Sequence, residues 1–345
     1  MFIYWALFAY FAVGTMLSPK EEQRSARLTP LLLFGAVVTV VLIGFRYKVG
    51  GDWDTYEFFF SWHGGGRNAP PAEDPGYQAV NWIVQQLQLK VWGVNLICGA
   101  IFTWGLFRFC LVQADPWLSA LIAVPYMVIV VAMGYTRQAV ALGILMAGLA
   151  SVIRGASTLR FSVFTAIAAL FHRTAVVALP ITALSSQRNR AINAIIGIAA
   201  GVLLYDLFLG NSMDKFVQNY IHTGYSSSGA GIRLAMNFVA AAILAMANAR
   251  LRFSETEWKL WRNFAVTSVI LLILLFISPS STAVDRMSIY VMPLQIAVLS
   301  RVPRLWNPPT IGRLLVVIYL AAVQFVWLNF AQHANYWVPY RFFPL

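Results

Sequence analysis

Residues 28–45 read LTPLLLFGAVVTVVLIGF, and the next twelve residues, 46–57, read RYKVGGDWDTYE. The first stretch is long and apolar enough to cross a bilayer as a helix, because a spanning helix needs about 20 mostly apolar residues. The second stretch holds two basic residues, two glycines and three acids, which is the composition of a polar site at the end of a span. Together they predict a membrane helix followed by a functional loop.

The composition of the whole chain agrees with the first half of this pattern. Of its 345 residues, 59% are hydrophobic and 11% are charged, and its mean hydropathy is +0.68, whereas soluble proteins are about 45–50% apolar and about 25% charged. A soluble enzyme is therefore excluded. The net charge of +12 comes from scarce acids and not from a basic tract, so we expect no nucleic-acid partner. We expect one all-α polytopic membrane domain over residues 1–345, with about 10–12 helical segments.

Apolar runs between charged or Pro/Gly-rich stretches predict ten spans. They lie near residues 2–17, 28–45, 91–112, 116–134, 138–153, 191–210, 233–248, 263–277, 287–300 and 311–329. A further apolar stretch, 161–184, is interrupted by His172-Arg173. The interruption predicts either two short re-entrant helices or one kinked span.

The distribution of Lys and Arg predicts the orientation, because short cytoplasmic loops are enriched in these residues. If 161–184 is a hairpin, the more basic loops share one side, and both termini are then outside. Two long segments also lie outside: 46–90, with an amphipathic helix over 76–89, and 211–231. Long loops in a compact membrane domain are usually functional.

Four arginines lie at the outer ends of spans, against this charge bias: Arg46, Arg137, Arg173 and Arg286. The planar fork of a guanidinium suits phosphate oxygens, and several converging forks suit a diphosphate. The alternative is that each arginine snorkels to lipid headgroups or pairs with a local acid such as Asp285.

Asp52 is the candidate general base toward a sugar hydroxyl, and His172 is the second candidate, as proton shuttle or hydrogen-bond donor. Asp52 and Asp54 could also bind a divalent cation, but Arg46 and Lys48 could neutralise both acids, and we predict no metal site. We find no cofactor motif. The residues predicted to bind substrate are Lys48, Asp54, Tyr56, Gln138 and Tyr290.

Five motifs, in their order along the chain, resemble one known family. They are Arg46-Tyr47-x-Val49-Gly50-x-Asp52-x-x-x-Tyr56, Glu73-Asp74-Pro75-Gly76-Tyr77, Arg137-Gln138, Phe171-His172-Arg173-Thr174 before Leu179-Pro180, and Asp285-Arg286 leading to Tyr290. This combination resembles the EpsG family, which contains Wzy-like polymerases of bacterial surface polysaccharides.

The resemblance implies a GT-C-like, multi-pass glycosyltransferase of the bacterial inner membrane, with its active site facing the periplasm. Such an enzyme moves a growing glycan from undecaprenyl diphosphate onto the non-reducing end of a lipid-linked repeat unit, in exopolysaccharide, capsule or O-antigen synthesis. It implies lipid-linked oligosaccharides as donor and acceptor, and a flippase and a chain-length regulator as partners. Two alternatives stay open from the residues: a ligase that transfers finished glycan, and a non-enzymatic flippase of a lipid-linked glycan.

Overall fold

The described part of the chain is a bundle of helices. The computed structural model describes residues 1–18, 29–62, 74–183, 195, 197–199, 202, 229–278 and 281–343. The helices described are α1 (Phe2–Leu17), α2 (Pro30–Gly44), α3 (Trp53–Trp62), α4 (Pro75–Gln86), α5 (Val91–Cys110), α6 (Pro116–Ala123), α7 (Thr136–Ile153), α8 (Thr158–Ala169), α9 (Ala178–Ala183), α10 (Ala230–Leu251), α11 (Glu255–Ile277), α12 (Ser281–Ser288), α13 (Pro293–Leu299) and α14 (Pro309–Phe330). Outside these helices the described chain forms short helical turns and one isolated antiparallel bridge, between Arg46 and Phe342.

Five described helices, α5, α7, α10, α11 and α14, are long and apolar enough to cross a membrane. Helices α1, α2 and α8 are apolar but shorter. Helix α6 continues as a π-helix over Val124–Ala132. This all-helical architecture is that of a polytopic membrane protein. The predicted span 191–210 falls almost entirely outside the described residues, as do most of the segment 211–231 and residues 63–73 of the first long segment.

Two predicted spans differ from the observed helices for identifiable reasons. The helix predicted over 263–277 begins at Glu255, because Ser254 and Glu257 form a reciprocal capping box that stabilises an earlier start. The helix predicted over 287–300 is divided into α12, a short turn over Ile289–Val291, and α13. Pro293 at the start of α13 cannot continue a preceding helix, because its nitrogen carries no hydrogen to donate.

Helices α5 and α7 approach each other closely where two glycines meet. A Cβ atom added to Gly105 would lie 1.8 Å from the carbonyl oxygen of Gly143, and one added to Gly143 would lie 2.5 Å from the Cα of Phe102. Small residues allow this contact because membrane helices associate largely through close packing. The close approach fixes α7, whose first turn carries part of the candidate site.

The bundle has two ends, and we call the one at which α2 and α8 finish and α7 and α10 begin the site end. There the amide of Gly76, in α4, donates to the carbonyl of Leu170, just after α8 (2.8 Å). The chain turns at His172, and α9 packs back against α8, so two short helices meet at this interruption. At the opposite end the guanidinium of Arg301 bonds the carboxylate of Glu257 at 2.6 Å.

We expect Gly105→Ala to lower the free energy of unfolding by about 2 kcal/mol, because a methyl group there would force α5 and α7 apart. Thermal unfolding in detergent measures the effect. Gly231→Ala is the matched control, since no atom of the described residues lies within 4 Å of a Cβ at that helical position. Equal unfolding midpoints for the two variants would contradict the close contact.

Candidate active site

Arg46 lies just beyond the end of α2, and its side chain points into the protein. The residue is 1% exposed. Its Nη1 donates to the carbonyl of Ile43 at 2.6 Å, its Nε to the carbonyl of Val49 at 3.3 Å, and its Nη2 to the hydroxyl of Thr136 at 2.7 Å. All three guanidinium nitrogens therefore bond groups inside the protein. We interpret Arg46 as a structural residue, because the predicted contact with a diphosphate would require one of these bonds to break.

The loop after Arg46 rests on the carboxyl-terminal segment of the chain. The amide of Tyr47 donates to the carbonyl of Arg341 at 2.8 Å, and the amide of Phe343 donates to the carbonyl of Phe45 at 2.7 Å. One turn further, the amide of Gly50 donates to the carbonyl of Tyr336 at 2.9 Å. Backbone hydrogen bonds from the carboxyl-terminal residues thus hold the polar loop that follows Arg46.

Gly50 is required by this arrangement, because its φ angle is +105° and an added Cβ would lie 2.1 Å from the carbonyl oxygen of Met133. The neighbouring Gly134 faces the indole of Trp337, which would lie 2.5 Å from an added Cβ. That indole donates to the carbonyl of Ile129 at 2.7 Å. The loop, the segment before α7 and the carboxyl-terminal segment are therefore packed as one unit.

Asp52 immediately precedes α3 and is partly buried, whereas Lys48 and Asp54, predicted to bind substrate, are exposed. Tyr56, on the buried side of α3, places its ring 6.0 Å from the Arg137 guanidinium carbon. This loop and helix therefore present one partly buried carboxylate beside exposed charged groups.

Arg137 lies in the first turn of α7 and is partly exposed, its side chain retaining 27% of its accessible surface. Its Nη1 bonds a carboxylate oxygen of Asp74, just before α4, at 2.6 Å. The adjacent Gln138 is buried, and its Nε2 has no hydrogen-bond partner in the described structure. Arg137 thus joins α7 to the second half of the first long segment while remaining accessible from the site end.

His172 lies in the turn after α8, between two hydroxyl groups. Its Nδ1 is 2.5 Å from the hydroxyl of Thr174 and 3.1 Å from the hydroxyl of Tyr290. Either hydroxyl can donate to the single lone pair of Nδ1, the Thr174 hydroxyl alternatively donating to that of Tyr290 at 3.4 Å, and in that tautomer the ring hydrogen lies on Nε2. His172 can then donate a hydrogen bond while remaining neutral. The adjacent Arg173 is exposed, as is Arg286 in α12.

The electrostatic environment brings these groups into one cluster. Burial raises the pKa of Asp52, while the positive charges of Arg286 and Arg137 act on that carboxylate in the opposite direction. Burial, followed by the charges of Arg286, Arg137 and Arg173, lowers the pKa of His172. Arg137 and Arg286 act on both groups and Arg173 acts on His172, so we define the arginine cluster as Arg137, Arg173 and Arg286, with Asp52 and His172 beside it.

Two residues at the site end received no role from the sequence. Asp74 appeared only within a motif, yet it holds Arg137. Arg233, in α10, belongs to none of the five motifs, yet it is 1% exposed and its Nη1 bonds the carboxylate of Asp285 at 2.6 Å. The described ion pair of Asp285 is therefore with Arg233, which lies on a different helix.

Within the described residues, no group of three or more His, Cys, Asp or Glu side chains lies in an arrangement that could hold a metal ion. The chemical resources of the described site are therefore three guanidinium groups, a carboxylate, a neutral imidazole and hydroxyl groups. Such a set can bind a polyanion and accept a proton beside it.

A helical membrane bundle with a cluster of arginines at one end defines a polytopic membrane protein that can bind an anionic ligand there. The model of the EpsG family matches residues 30–342, nearly the whole chain, and the protein belongs to that family. This membership confirms the resemblance seen in the sequence and indicates an exopolysaccharide-related polymerase. No curated protein and no solved structure matches the chain.

We expect Arg46→Ala to lower the free energy of unfolding by about 3 kcal/mol, because three buried acceptors would lose their charged donor. Lys48→Ala, an exposed change two residues away, should leave it within about 0.5 kcal/mol of the original protein. Thermal unfolding in detergent compares the two. A normal unfolding midpoint for Arg46→Ala, combined with lost activity, would return Arg46 to the ligand site.

Proposed function

We propose that this protein is a polysaccharide polymerase of the bacterial inner membrane. It would transfer a growing glycan from undecaprenyl diphosphate onto the non-reducing end of a lipid-linked repeat unit, as a glycosyltransferase with a GT-C-like architecture. The observation that carries the proposal is the arginine cluster beside Asp52 and His172. Family membership supports the polymerase class, while the substrate and the reaction are part of the proposal.

The proposed reaction assigns each group a chemical task. The acceptor hydroxyl oxygen attacks the anomeric carbon of the donor glycan, and the bond from that carbon to the diphosphate breaks. Undecaprenyl diphosphate leaves with the electron pair, and its negative charge is stabilised by Arg137, Arg173 and Arg286. The hydroxyl proton passes to Asp52 and then to solvent.

His172 would act beside this step as a hydrogen-bond donor from Nε2, because its pKa is lowered and its Nδ1 faces two hydroxyls. The substrate contacts assigned to the exposed Lys48 and Asp54 remain part of the proposal. Tyr56 and Tyr290 are buried and would act from behind the site, Tyr56 against Arg137 and Tyr290 against His172. Gln138 is also buried, with its Nε2 unpartnered in the described structure, and its predicted substrate contact remains part of the proposal.

The proposed orientation places the site end in the periplasm. Both ends of the described chain lie there, since the hydroxyl of Tyr4 bonds the carbonyl of Trp337 at 2.7 Å and Phe343 bonds Phe45. Described basic residues at the opposite end include Arg154, Arg160 and Arg252, and the positive-inside rule assigns that end to the cytoplasm. A flippase and a chain-length regulator are the partners that the family resemblance implies.

A ligase would use the same cluster, so only its product distinguishes it from a polymerase. A flippase would be expected to carry basic residues at several depths along a path. Arg137, Arg173 and Arg286 gather instead at one depth, the site end, which favours an enzyme.

We expect purified protein in nanodiscs with a chelator to convert a lipid-diphosphate-linked repeat unit from its source organism into a ladder of longer glycans. Arg286→Ala and Arg173→Ala should each slow the reaction about 100-fold, because each removes a preorganised charge contact to the leaving group. Arg341→Ala, an exposed arginine at the same end, is the control. Products are resolved by length. A single transferred product would indicate a ligase, and ladders unchanged in both cluster variants would contradict the assigned site.

We also expect the rate to fall at low pH through protonation of Asp52. Burial raises the pKa of this carboxyl, so its proton is taken up at a pH above the ordinary value of about 3.9, and the protonated form cannot act as a base. The lowered pKa of His172 keeps that ring neutral through the same range. A pH–rate profile should therefore show an acid limb that moves in Asp52→Glu and stays in His172→Gln. A limb that moves only with His172→Gln would make His172 the base.

A further inference from the structure

At the site end, the buried guanidinium of Arg233 contacts both the segment before α7 and helix α12. We call Arg233 with its partner Asp285 the hub. Its Nε and Nη2 both donate to the hydroxyl of Tyr126, at 3.0 and 2.8 Å, and its Nη1 bonds the carboxylate of Asp285 at 2.6 Å. Its central carbon lies 5.0 Å from the ring centroid of Tyr126 and 5.8 Å from that of Tyr135. All three nitrogens of the Arg233 guanidinium therefore have a partner inside the protein.

Two partners of Arg233 lie close in the chain to an arginine of the cluster. Asp285 immediately precedes Arg286 in α12, and Tyr135 is two residues before Arg137 at the start of α7. One buried side chain on α10 therefore contacts both segments from which two cluster arginines project. The side chain of an exposed arginine is long and flexible, so each guanidinium can occupy a range of positions. The backbone positions from which the side chains start decide whether those ranges meet.

The segment around Asp285 is held by further buried polar contacts. The hydroxyl of Ser288 donates to the carbonyl of Asp285 at 2.7 Å. The side-chain amide of Asn237, on α10, donates to the carbonyl of Ser288 at 3.0 Å. The side-chain amide of Gln295 donates to the side-chain oxygen of Asn237 at 2.7 Å. Helix α12 has only eight residues, so its position is set by these tertiary contacts more than by its own length.

A buried ion pair contributes little net stability by comparison with apolar packing, because both charges lose their hydration. Fold stability alone is therefore a weak reason for an Arg–Asp pair here. We propose that Arg233 is a positioning residue that sets the separation of Arg137 and Arg286. This inference rests on the proposed function for its kinetic consequence, and on the contacts above for its structural one.

The test removes both charges of the hub together, in Arg233→Met/Asp285→Asn, so that no unpaired buried charge remains. The matched control is Arg301→Met/Glu257→Gln, which removes a buried ion pair from the opposite end and keeps a capping side chain at position 257. We expect the hub variant to lower kcat about 10- to 100-fold, since a displacement of about 1 Å of a catalytic group has an effect of this size. KM should change less than threefold, and the control variant should keep its kcat.

The structural consequence is measured separately, with a nitroxide label at Arg286→Cys. Both native cysteines, Cys98 and Cys110, are buried, so labelling is directed to the exposed position. We expect the electron paramagnetic resonance spectrum to show a more mobile label when Arg233→Met/Asp285→Asn is added. We expect no change in label mobility when Arg301→Met/Glu257→Gln is added. This comparison needs no activity, so it decides the positioning role even if the unmodified protein makes no ladder, a result that would count against the proposed function alone.

Tyr126→Phe is the second variant, in case the double substitution does not fold. It removes only the oxygen that receives two donors of the fork, and it should lower kcat about fivefold with a smaller gain in label mobility. A kcat within twofold of the control variant, or a fall in kcat without a change in label mobility, would overturn the proposal.

Discussion

The packing of the site end depends on the hydrogen bonds of the buried Arg46 guanidinium. It joins the last turn of α2, the loop that follows and the first residue of α7 through three hydrogen bonds. Asp52 lies six residues beyond Arg46, and Arg137 directly follows Thr136, so the same side chain sets the distance between a carboxylate and an arginine of the cluster. A burial of this kind is tolerated in an apolar bundle only because every guanidinium nitrogen has a partner.

Arginine serves two different purposes in this protein, and exposure distinguishes them. Arg46 and Arg233 are buried and fully engaged, and each joins segments that are distant in the chain. Arg173 and Arg286 are exposed, and their charges act on His172 from outside the core. Arg137 combines both purposes, because it is held by Asp74 and remains partly exposed. The buried arginines thus provide a frame, and the accessible ones supply the charge that a diphosphate would require.

This division explains how a cationic site can form at the end of a membrane bundle. The interior of the bundle is apolar, so polar groups gather where helices begin and end. The carboxyl-terminal segment supports the loop before α3, and the turn at His172 is bonded to Thr174 and Tyr290. The proposed glycosyl transfer would benefit from preorganisation of this kind, because charge would develop on the leaving group while the protein contributes fixed partners.

The sequence by itself determined the membrane class, most helix positions, the family and the segments that carry the site, because apolar period, charge bias and local motifs are written in neighbouring residues. It also predicted one site that combines Arg46, Arg137, Arg173 and Arg286 with Asp52 and His172. Only the tertiary structure decided that Arg46 turns inward, that Asp285 pairs with Arg233 and that Asp74 holds Arg137. Each of these depends on contacts between residues 52 to 90 positions apart. The burial of a side chain is a property of the packed bundle and not of its sequence neighbours, and this is the physical reason that sequence alone could not separate the structural arginines from the accessible ones.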